Sequence, residues 1–321
     1  ASVEVRVVPH RVQLDARGVA DPSDAFALSG FTTAEFELVA MGDTNGVTVE
    51  TLQVHTPGIH AVLTNSAQIS WRGELGTNPA LFRIEANLAD VPDAGMTGQI
   101  RGTARIEAEG SQPSALRFDL SAARINAGKI EAQSIGLVGE LSVPELTLDE
   151  LSARFDDGST LRANGILNLQ TREVKRADWS FEGSYLNRFL RGVSFENLTT
   201  SGTLEGPFTN LQHRGELRVA EMAIPRLKPL QVEARWAGRQ LNLDSLNAEL
   251  ATDEARLAVG GGVNVIAPQH LAATVTNLSW QRQDQPLLAL GHPCEIGFVL
   301  TTNTSATNWT VRVSDFALSD T

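Results

Sequence analysis

One alternating pattern occurs twice in the chain, and it restricts the fold more than any other feature. Residues 146–169 read LTLDELSARFDDGSTLRANGILNL, and residues 241–265 read LNLDSLNAELATDEARLAVGGGVNV. The two stretches match at an offset of 95 residues before the turn and 96 residues after it. Because strands keep their period while loops absorb insertions, this behaviour is typical of a repeated structural unit.

Apolar residues fall at every second position within this unit, which places them on one face of a strand. The alternation shifts once, at Asp149-Glu150 in one copy and at Asp244-Ser245 in the other. Such a shift predicts a β-bulge or a corner where the sheet bends. Residues 47–54 carry the same pattern and the same shift, so they are interpreted as a weaker third copy.

Turn residues and one short helical segment separate the predicted strands. Residues 156–159 (DDGS) predict a hairpin or a tight crossover, and residues 21–30 predict a polar turn. Residues 184–192 (SYLNRFLRG) are the best helix candidate, with Ser184 as the N-cap and Gly192 at the end. So short a helix is expected to cover a sheet edge or the end of a groove.

No break in composition marks a domain boundary, so the chain is predicted to be one elongated β-repeat segment over residues 1–321. Weak repeat units are placed near residues 47–143, 146–240 and 241–321. The first residues already alternate as a strand, and no run of about eighteen apolar residues occurs. The segment is therefore expected to come from a longer parent chain, with any membrane anchor or signal outside it.

Charge and composition exclude some partners. The formal net charge is −12, lysine occurs only at Lys129, Lys175 and Lys228, and there is no basic cluster. This argues against nucleic acid and against electrostatic attachment to anionic headgroups, but not against hydrophobic lipid binding.

No group of residues carries a recognisable catalytic or metal-binding pattern. The six histidines are scattered, and His55 and His60 flank a turn, where such a pair is more often incidental than a metal site. Asp156-Asp157 is read as turn chemistry, and Cys294, at an alternating position, as a core cysteine. Neither an enzyme nor a cofactor is expected.

The one-sided strands must bury their apolar faces, and periodicity allows three solutions. A rolled β-solenoid buries them inside itself, and a sandwich buries them between two sheets. A sheet folded into a U leaves a long apolar trough that suits acyl chains.

A family resemblance favours the third solution. Residues 202–265 combine a TLEGP turn, a GEL strand, a loop between two prolines, LNLDSLNAEL and a strand ending in GGVNV. This series resembles the bacterial TamB/AsmA-like family, most clearly over residues 140–265. The resemblance implies an all-β, elongated, continuous, U-shaped (taco-like) curved sheet of many short strands, with a hydrophobic groove and at most short helical turns.

The same resemblance implies a function. Members of the family are anchored in the inner membrane of diderm bacteria, cross the periplasm and are implicated in phospholipid transport to the outer membrane. Their partners are phospholipid acyl chains and, through parts of the parent chain outside this sequence, an outer-membrane barrel of the Omp85 class linked to protein assembly and secretion. No catalytic residue is implied. The proposed groove-facing residues are Leu146, Leu148, Leu151, Phe155, Leu161, Leu167, Leu243, Leu246, Leu257 and Val263.

Two alternatives come from other classes of protein. A closed β-solenoid or sandwich would serve as a surface adhesin or a structural stalk, and it would show turns at strict intervals. The loops of this chain differ in length and spacing, which argues against the solenoid. A carbohydrate-active β-helix enzyme would need clustered acidic and basic residues on one exposed strand face, and the sequence shows none.

Overall fold

The computed structural model describes residues 2–8, 11–20, 34–72, 74–76, 78–91, 95–107, 115–190, 192–267, 270–283, 285–302, 307–314 and 316–320. The polar turn predicted at residues 21–30 lies outside them. The protein is all-β, and its strands form an open antiparallel sheet that does not close on itself. The prediction of an all-β fold is thereby confirmed, and the closed solenoid of the alternative interpretation is not what forms.

The strands are β1 (Ser2–Val8), β2 (Arg11–Ala20), β3 (Ala34–Gly42), β4 (Gly46–Thr56), β5 (Ile59–Leu63), β6 (Ala67–Ser70), β7 (Ala80–Asn87), β8 (Thr97–Glu107), β9 (Ala115–Ala127), β10 (Ile130–Ser142), β11 (Glu145–Phe155), β12 (Thr160–Asn168), β13 (Glu173–Gly183), β14 (Ser194–Phe195), β15 (Leu198–Pro207), β16 (Gln212–Ala223), β17 (Leu230–Arg239), β18 (Asn242–Ala251), β19 (Ala255–Ala267), β20 (His270–Arg282), β21 (Gln285–Leu290), β22 (Cys294–Thr302), β23 (Thr307–Ser314) and β24 (Leu318–Asp320). Two short 3-10 helices, Tyr185–Phe189 and Phe208–Asn210, accompany them.

The chain divides into two compact units. The first comprises residues 1–156 and 164–170, and the second comprises residues 157–163 and 171–321. In the first unit the strands pair mostly in chain order, from β1 to β4 and from β7 to β11. β4 pairs with both β5 and β6, and β5 continues to β7.

The second unit follows the same principle. Its main pairings run from β13 to β15 and then in chain order to β20. β22 and β23 continue from β20, while β14, β21 and β24 pair with β16, β20 and β21 respectively. All of these pairs are antiparallel, which suits strands joined by short turns.

The predicted parity shifts are β-bulges in all three copies of the repeated pattern. Asp149 is the extra residue where β11 pairs with β10, because Glu150 opposes Val138 and Leu148 opposes Gly139. Asp244 is the extra residue of β18 opposite β17, and Glu50 is that of β4 opposite β3. Each bulge lets the apolar side chains on either side of it stay on one face of the sheet.

Burial is shallow throughout the described residues. The fully buried side chains are mostly small, and the core cluster of the first unit consists of Ala40, Val49, Leu63, Ala67 and Ala80. Many of the larger apolar side chains, such as those of Leu120, Leu137 and Leu151, are only half-buried. Within the described part of each unit, these side chains are therefore not fully covered by other protein atoms.

The predicted helix at residues 184–192 is a 3-10 helix over Tyr185–Phe189. Ser184 precedes it but makes no capping hydrogen bond to its backbone. The Ser184 hydroxyl instead donates to Oδ2 of Asp157 at 2.8 Å. Tyr185 is buried, but Phe189 is 44% exposed, so only part of the predicted apolar side of the helix packs inward.

Candidate functional site

The first unit presents one apolar face across neighbouring strands. Residues directly opposite each other in an antiparallel pair point to the same side of the sheet. One row of such partners runs through Ile84, Gly102, Leu120, Leu137 and Leu151. The adjacent row runs through Leu63, Phe82, Ala104, Phe118, Gly139 and Leu148. The alternating pattern of each strand thus becomes one continuous apolar surface.

The second unit has an apolar face of the same kind. One row runs through Leu198, Val219, Val232, Leu250, Leu257 and Trp280. Another runs through Leu204, His213, Gly238, Leu243, Val263, Ala273 and Ile296. On the opposite face, a row runs through Thr199, Arg218, Glu233 and Glu249. One face of this sheet is therefore apolar and the other is charged.

The ten predicted groove residues are divided between the two units and strand β12. Leu146, Leu148, Leu151 and Phe155 lie on the apolar face of the first unit, opposite Leu141, Gly139, Leu137 and Ala132. Leu243, Leu246, Leu257 and Val263 lie on that of the second unit, within the series of partners from β17 to β20. Leu161 and Leu167 share one side of β12 by alternation, with Arg162 and Asn164 exposed on the other. Phe155 is buried, and the other nine are half-buried.

Two tryptophans that sequence reasoning did not single out shape the apolar face of the second unit. The ring of Trp179 lies across Gly202, where an added Cβ would be 3.0 Å from Cζ2 of the indole. The ring of Trp236 lies across Gly215, where the same distance would be 2.5 Å. Each tryptophan stands directly opposite the glycine that it covers. Glycines at inward positions of alternating strands are the sequence signal that points to such pairs.

Rings also cover the glycines beside two of the bulges. Phe118 lies over Gly139, and an added Cβ there would be 2.8 Å from its Cζ atom. His213 lies over Gly238, with 2.8 Å from an added Cβ to the imidazole Cε1. The Nε2 atom of His213 is 3.1 Å from the carbonyl oxygen of Gln240. His213 is thus a polar side chain on the apolar face, and its imidazole has a structural partner.

The charged face of the first unit carries a chain of ion pairs. Arg117 contacts Glu107 at 3.1 Å and donates from Nε to Glu140 at 2.7 Å. Arg105 contacts Glu107 at 3.2 Å. The hydrogen bond from Arg117 lowers the pKa of Glu140, against a smaller opposing effect of burial. Such exposed pairs contribute little stability individually, but they keep this face polar.

The turn at residues 156–159 is built around one carboxylate of the second unit. Asp157 accepts from the backbone N–H of Ser159 at 3.0 Å and from the hydroxyls of Ser159 and Ser184, each at 2.8 Å. Burial raises the pKa of Asp157, but these hydrogen bonds together outweigh it and hold the pKa below its usual value. Ser159 in turn accepts from the backbone N–H of Tyr185 at 3.0 Å, which ties the 3-10 helix to the turn.

Other candidate chemistry is sparse among the residues that the structure describes. No group of three or more His, Cys, Asp or Glu side chains converges in a way that could hold a metal ion there. Cys294 is a free, buried thiol on the apolar face opposite Val275, as predicted. The described part of the chain also has no helix long and apolar enough to cross a bilayer.

Comparisons with known proteins give no further direction. No family model, no curated protein and no solved structure matches the chain. The apolar face is therefore the candidate site on geometry alone, and the resemblance to the TamB/AsmA-like family stays a prediction.

Proposed function

We propose that the protein is a passive hydrophobic conduit for phospholipids, a periplasmic segment of a TamB/AsmA-like protein that moves lipid between the inner and outer membranes. The proposal rests on one observation. Each unit keeps a continuous apolar face on which nine of the ten predicted groove residues are only half-buried, while the opposite face carries charge.

Exposed apolar surface of this extent is costly in water, at about 25 cal/mol per Å². A surface that ordinarily faced bulk water would not be expected to keep it. Acyl chains would cover it and remove the cost, whereas a phosphate headgroup would lose its hydration there. The apolar face therefore suits lipid tails whose headgroups stay in water.

In this proposal the sheet curves into a U with the apolar face inside, and the three bulges at Glu50, Asp149 and Asp244 contribute to the bend. Bulges increase the local twist and bend of a strand. Acyl chains would slide along the trough without any chemical step, so neither an active site nor a cofactor is required. Contact with an Omp85-class barrel would belong to other parts of the parent chain.

Lipid carried through purification is the first test. Native mass spectrometry of the detergent-free protein, followed by organic extraction, should find phospholipid bound in more than one copy. Protein that carries no lipid, and that takes none up from phospholipid vesicles, would contradict the conduit and favour a structural stalk.

A charge on the apolar face is the second test. Val263→Glu and Leu167→Glu should abolish lipid uptake from vesicles while the far-UV circular dichroism stays that of a β-protein, because an open face tolerates polarity better than a packed core. Asn264→Glu is the matched control, since Asn264 is exposed and alternates with Val263 along β19. Global unfolding of Val263→Glu would show a packed core instead of an open trough.

A further inference from the structure

A histidine pair on the charged face of the first unit is not used by the proposed function. His55 and His60 stand directly opposite each other on β4 and β5. The hairpin that joins these strands is closed by Pro57 and Gly58, and Gly58 has the positive φ of 79° that such a tight turn needs. The turn therefore fixes the register that brings the two imidazoles together.

The two rings are close and their nitrogens are available. Their centroids are 5.9 Å apart, with an angle of 68° between the ring planes. Among the described residues, neither imidazole makes a hydrogen bond or an ion pair, and the two rings contact each other. Both line an open depression of about 440 Å³ together with Glu85, Asp90 and Arg101.

Carboxylates continue the row on both sides of the pair. Glu35 stands opposite His55 on β3, and Glu85 stands opposite His60 on β7. Directly opposite side chains have Cβ atoms about 4.5–5.5 Å apart, so each imidazole has a carboxylate neighbour across the strands. The resulting order is carboxylate, imidazole, imidazole, carboxylate.

We propose that His55 and His60 chelate a divalent transition-metal ion of the Zn²⁺ class. A Zn–N bond of about 2.0–2.1 Å places the ion roughly 3 Å from the centroid of a coordinating ring. Two rings with centroids 5.9 Å apart therefore bracket a single ion after small rotations of the imidazoles. This inference is independent of the lipid proposal, because the pair lies on the charged face.

The row of carboxylates has a defined part in this site. A metal-bound imidazole characteristically donates its other N–H to a carboxylate, which fixes the ring orientation. Glu35 and Glu85 are placed by the strand register to accept these N–H groups. Since no group of three or more His, Cys, Asp or Glu among the described residues could hold a metal ion, the protein would supply the two imidazoles and water would complete the coordination sphere. The site is thus a two-ligand chelate on a preformed hairpin, not a closed structural cage.

The order of affinities for different metal ions gives a second way to test the proposal. Sites made of imidazoles prefer Cu²⁺ over Ni²⁺ and Zn²⁺, and they discriminate against Mg²⁺ and Ca²⁺, which prefer oxygen ligands. A cluster of surface carboxylates would bind Ca²⁺ instead. The identity of the competing ion therefore separates imidazole binding from binding to the acidic surface.

Titration of the metal-free full chain with ZnCl₂ tests the proposal. Isothermal calorimetry should show one saturable site, and the imidazole ¹⁵N resonances of His55 and His60 should shift while that of His292 does not. His55→Gln and His60→Gln should each abolish the saturable site. Glu85→Gln should weaken it by about tenfold, as expected for loss of an orienting carboxylate.

His292→Gln is the matched control, because His292 is an exposed histidine of the second unit. This variant should bind Zn²⁺ like the wild type, and millimolar Mg²⁺ should not compete. Unchanged binding in both His55→Gln and His60→Gln would overturn the proposal and show an adventitious ion only. Should either variant misfold, the imidazole shifts of the wild-type protein decide the question, since equal shifts of all histidines would also overturn it.

Discussion

The strands have the same arrangement beside Asp149 and beside Asp244, but with different side chains. Each such corner consists of a β-bulge, the residue opposite the apolar residue before the bulge, and the group that covers that opposite residue. In both, a glycine faces the leucine before the bulge, and a flat ring from the preceding strand covers that glycine. The ring is Phe118 in the first unit and His213 in the second. At these two corners a planar group covers a glycine, but the chemistry of that group differs.

The third corner, beside Glu50, shows a variation. Ala40 takes the place of the glycine there and is only 1% exposed. Val49, which stands opposite Ala40, belongs to the same buried cluster of the first unit. A methyl group therefore occupies part of the space that a ring occupies at the other two corners. All three corners therefore share the bulge, but the residue opposite it and the group packed on that residue differ among them.

The glycines at the corners should be among the most sensitive positions of the chain. In Gly238→Ala the new Cβ would lie 2.0 Å from the carbonyl oxygen of Asn242, and in Gly139→Ala 2.4 Å from that of Thr147. Backbone atoms cannot move aside as a flexible side chain can, so we expect each change to cost about 3 kcal/mol of unfolding free energy. Urea denaturation monitored by circular dichroism measures this loss.

Gly297→Ala is the control for this prediction, because an added Cβ there would have its nearest neighbour at 4.0 Å. Gly297→Ala should lower the free energy of unfolding by less than about 1 kcal/mol, as is usual for a tolerated substitution in a strand. If Gly139→Ala were as stable as this control, the corner would have relaxed toward the arrangement seen around Ala40.

The bulges were predictable from sequence, whereas the ring that meets each glycine was not. A parity shift at Asp149 or Asp244 is a local signal that one strand carries by itself. The meeting of His213 with Gly238 depends on the register between β16 and β17, and residue spacing alone does not give that register. The same holds for Glu35 and Glu85, which join the row of His55 and His60 only through pairings with β3 and β7.

The 3-10 helix shows the limit of local signals in another way. Residues 184–192 have helical spacing and a good N-cap residue, yet Ser184 bonds to Asp157 rather than to the helix backbone. This tertiary hydrogen bond comes from a turn 27 residues earlier. The shared face of the predicted groove residues within each strand, by contrast, follows from alternation, which needs no knowledge of the partner strands.

Exchanging the two rings should have the next largest effect. Phe118→His replaces an apolar ring by a polar one, and we expect a loss of about 1.5 kcal/mol. His213→Phe should cost less than about 1 kcal/mol, because it loses one hydrogen bond to Gln240 but gains apolar surface. Thermal unfolding of both variants and of the double exchange measures the difference. Equal losses would show that the two corners demand the same kind of ring.

The turns of the two repeat copies should differ in their response to acid. The turn at 156–159 depends on the ionised Asp157, whereas the turn of the second copy uses the Thr252 hydroxyl, which accepts from the backbone N–H of Ala255 at 3.0 Å. Because the pKa of Asp157 is lowered in the folded state, its stabilising effect is present above the unfolded value of about 3.9. It is lost as the pH falls through the lower, folded pKa.

Asp157→Asn should therefore cost about 1 kcal/mol at pH 7, toward the low end for hydrogen bonds to a charged group because the carboxylate is exposed. The difference from the wild type should shrink below about pH 4. Denaturation at a series of pH values measures it, and the contribution of other carboxylates cancels in the comparison. Thr252→Val should show a loss that does not depend on pH in this range. A constant difference between Asp157→Asn and the wild type down to pH 2 would contradict the assignment.

Replacing the carboxylates at the bulges should change the free energy of unfolding least. These substitutions test whether the acidic residue stabilises the corner. Arg239 donates from Nε to Oδ2 of Asp244 at 3.0 Å, and both side chains are about half-exposed. Asp149 has no ion-pair partner among the described residues. We expect Asp244→Asn to cost about 0.5 kcal/mol at low ionic strength and almost nothing in 1 M NaCl, since salt screens exposed pairs. Asp149→Asn should cost nothing measurable at either ionic strength.

A double-mutant cycle between Arg239 and Asp244 isolates the pair energy from other effects of the substitutions. If Asp149→Asn destabilises the protein as much as Asp244→Asn does, the carboxylate acts within the bulge itself rather than through the arginine. The recurrence of an acidic residue at Glu50, Asp149 and Asp244 would then follow from the backbone geometry of the corner. If only Asp244→Asn responds to salt, the acidic residue keeps the exposed side of each bulge polar, and the bulge itself depends on the extra residue and the small residue next to it on the partner strand.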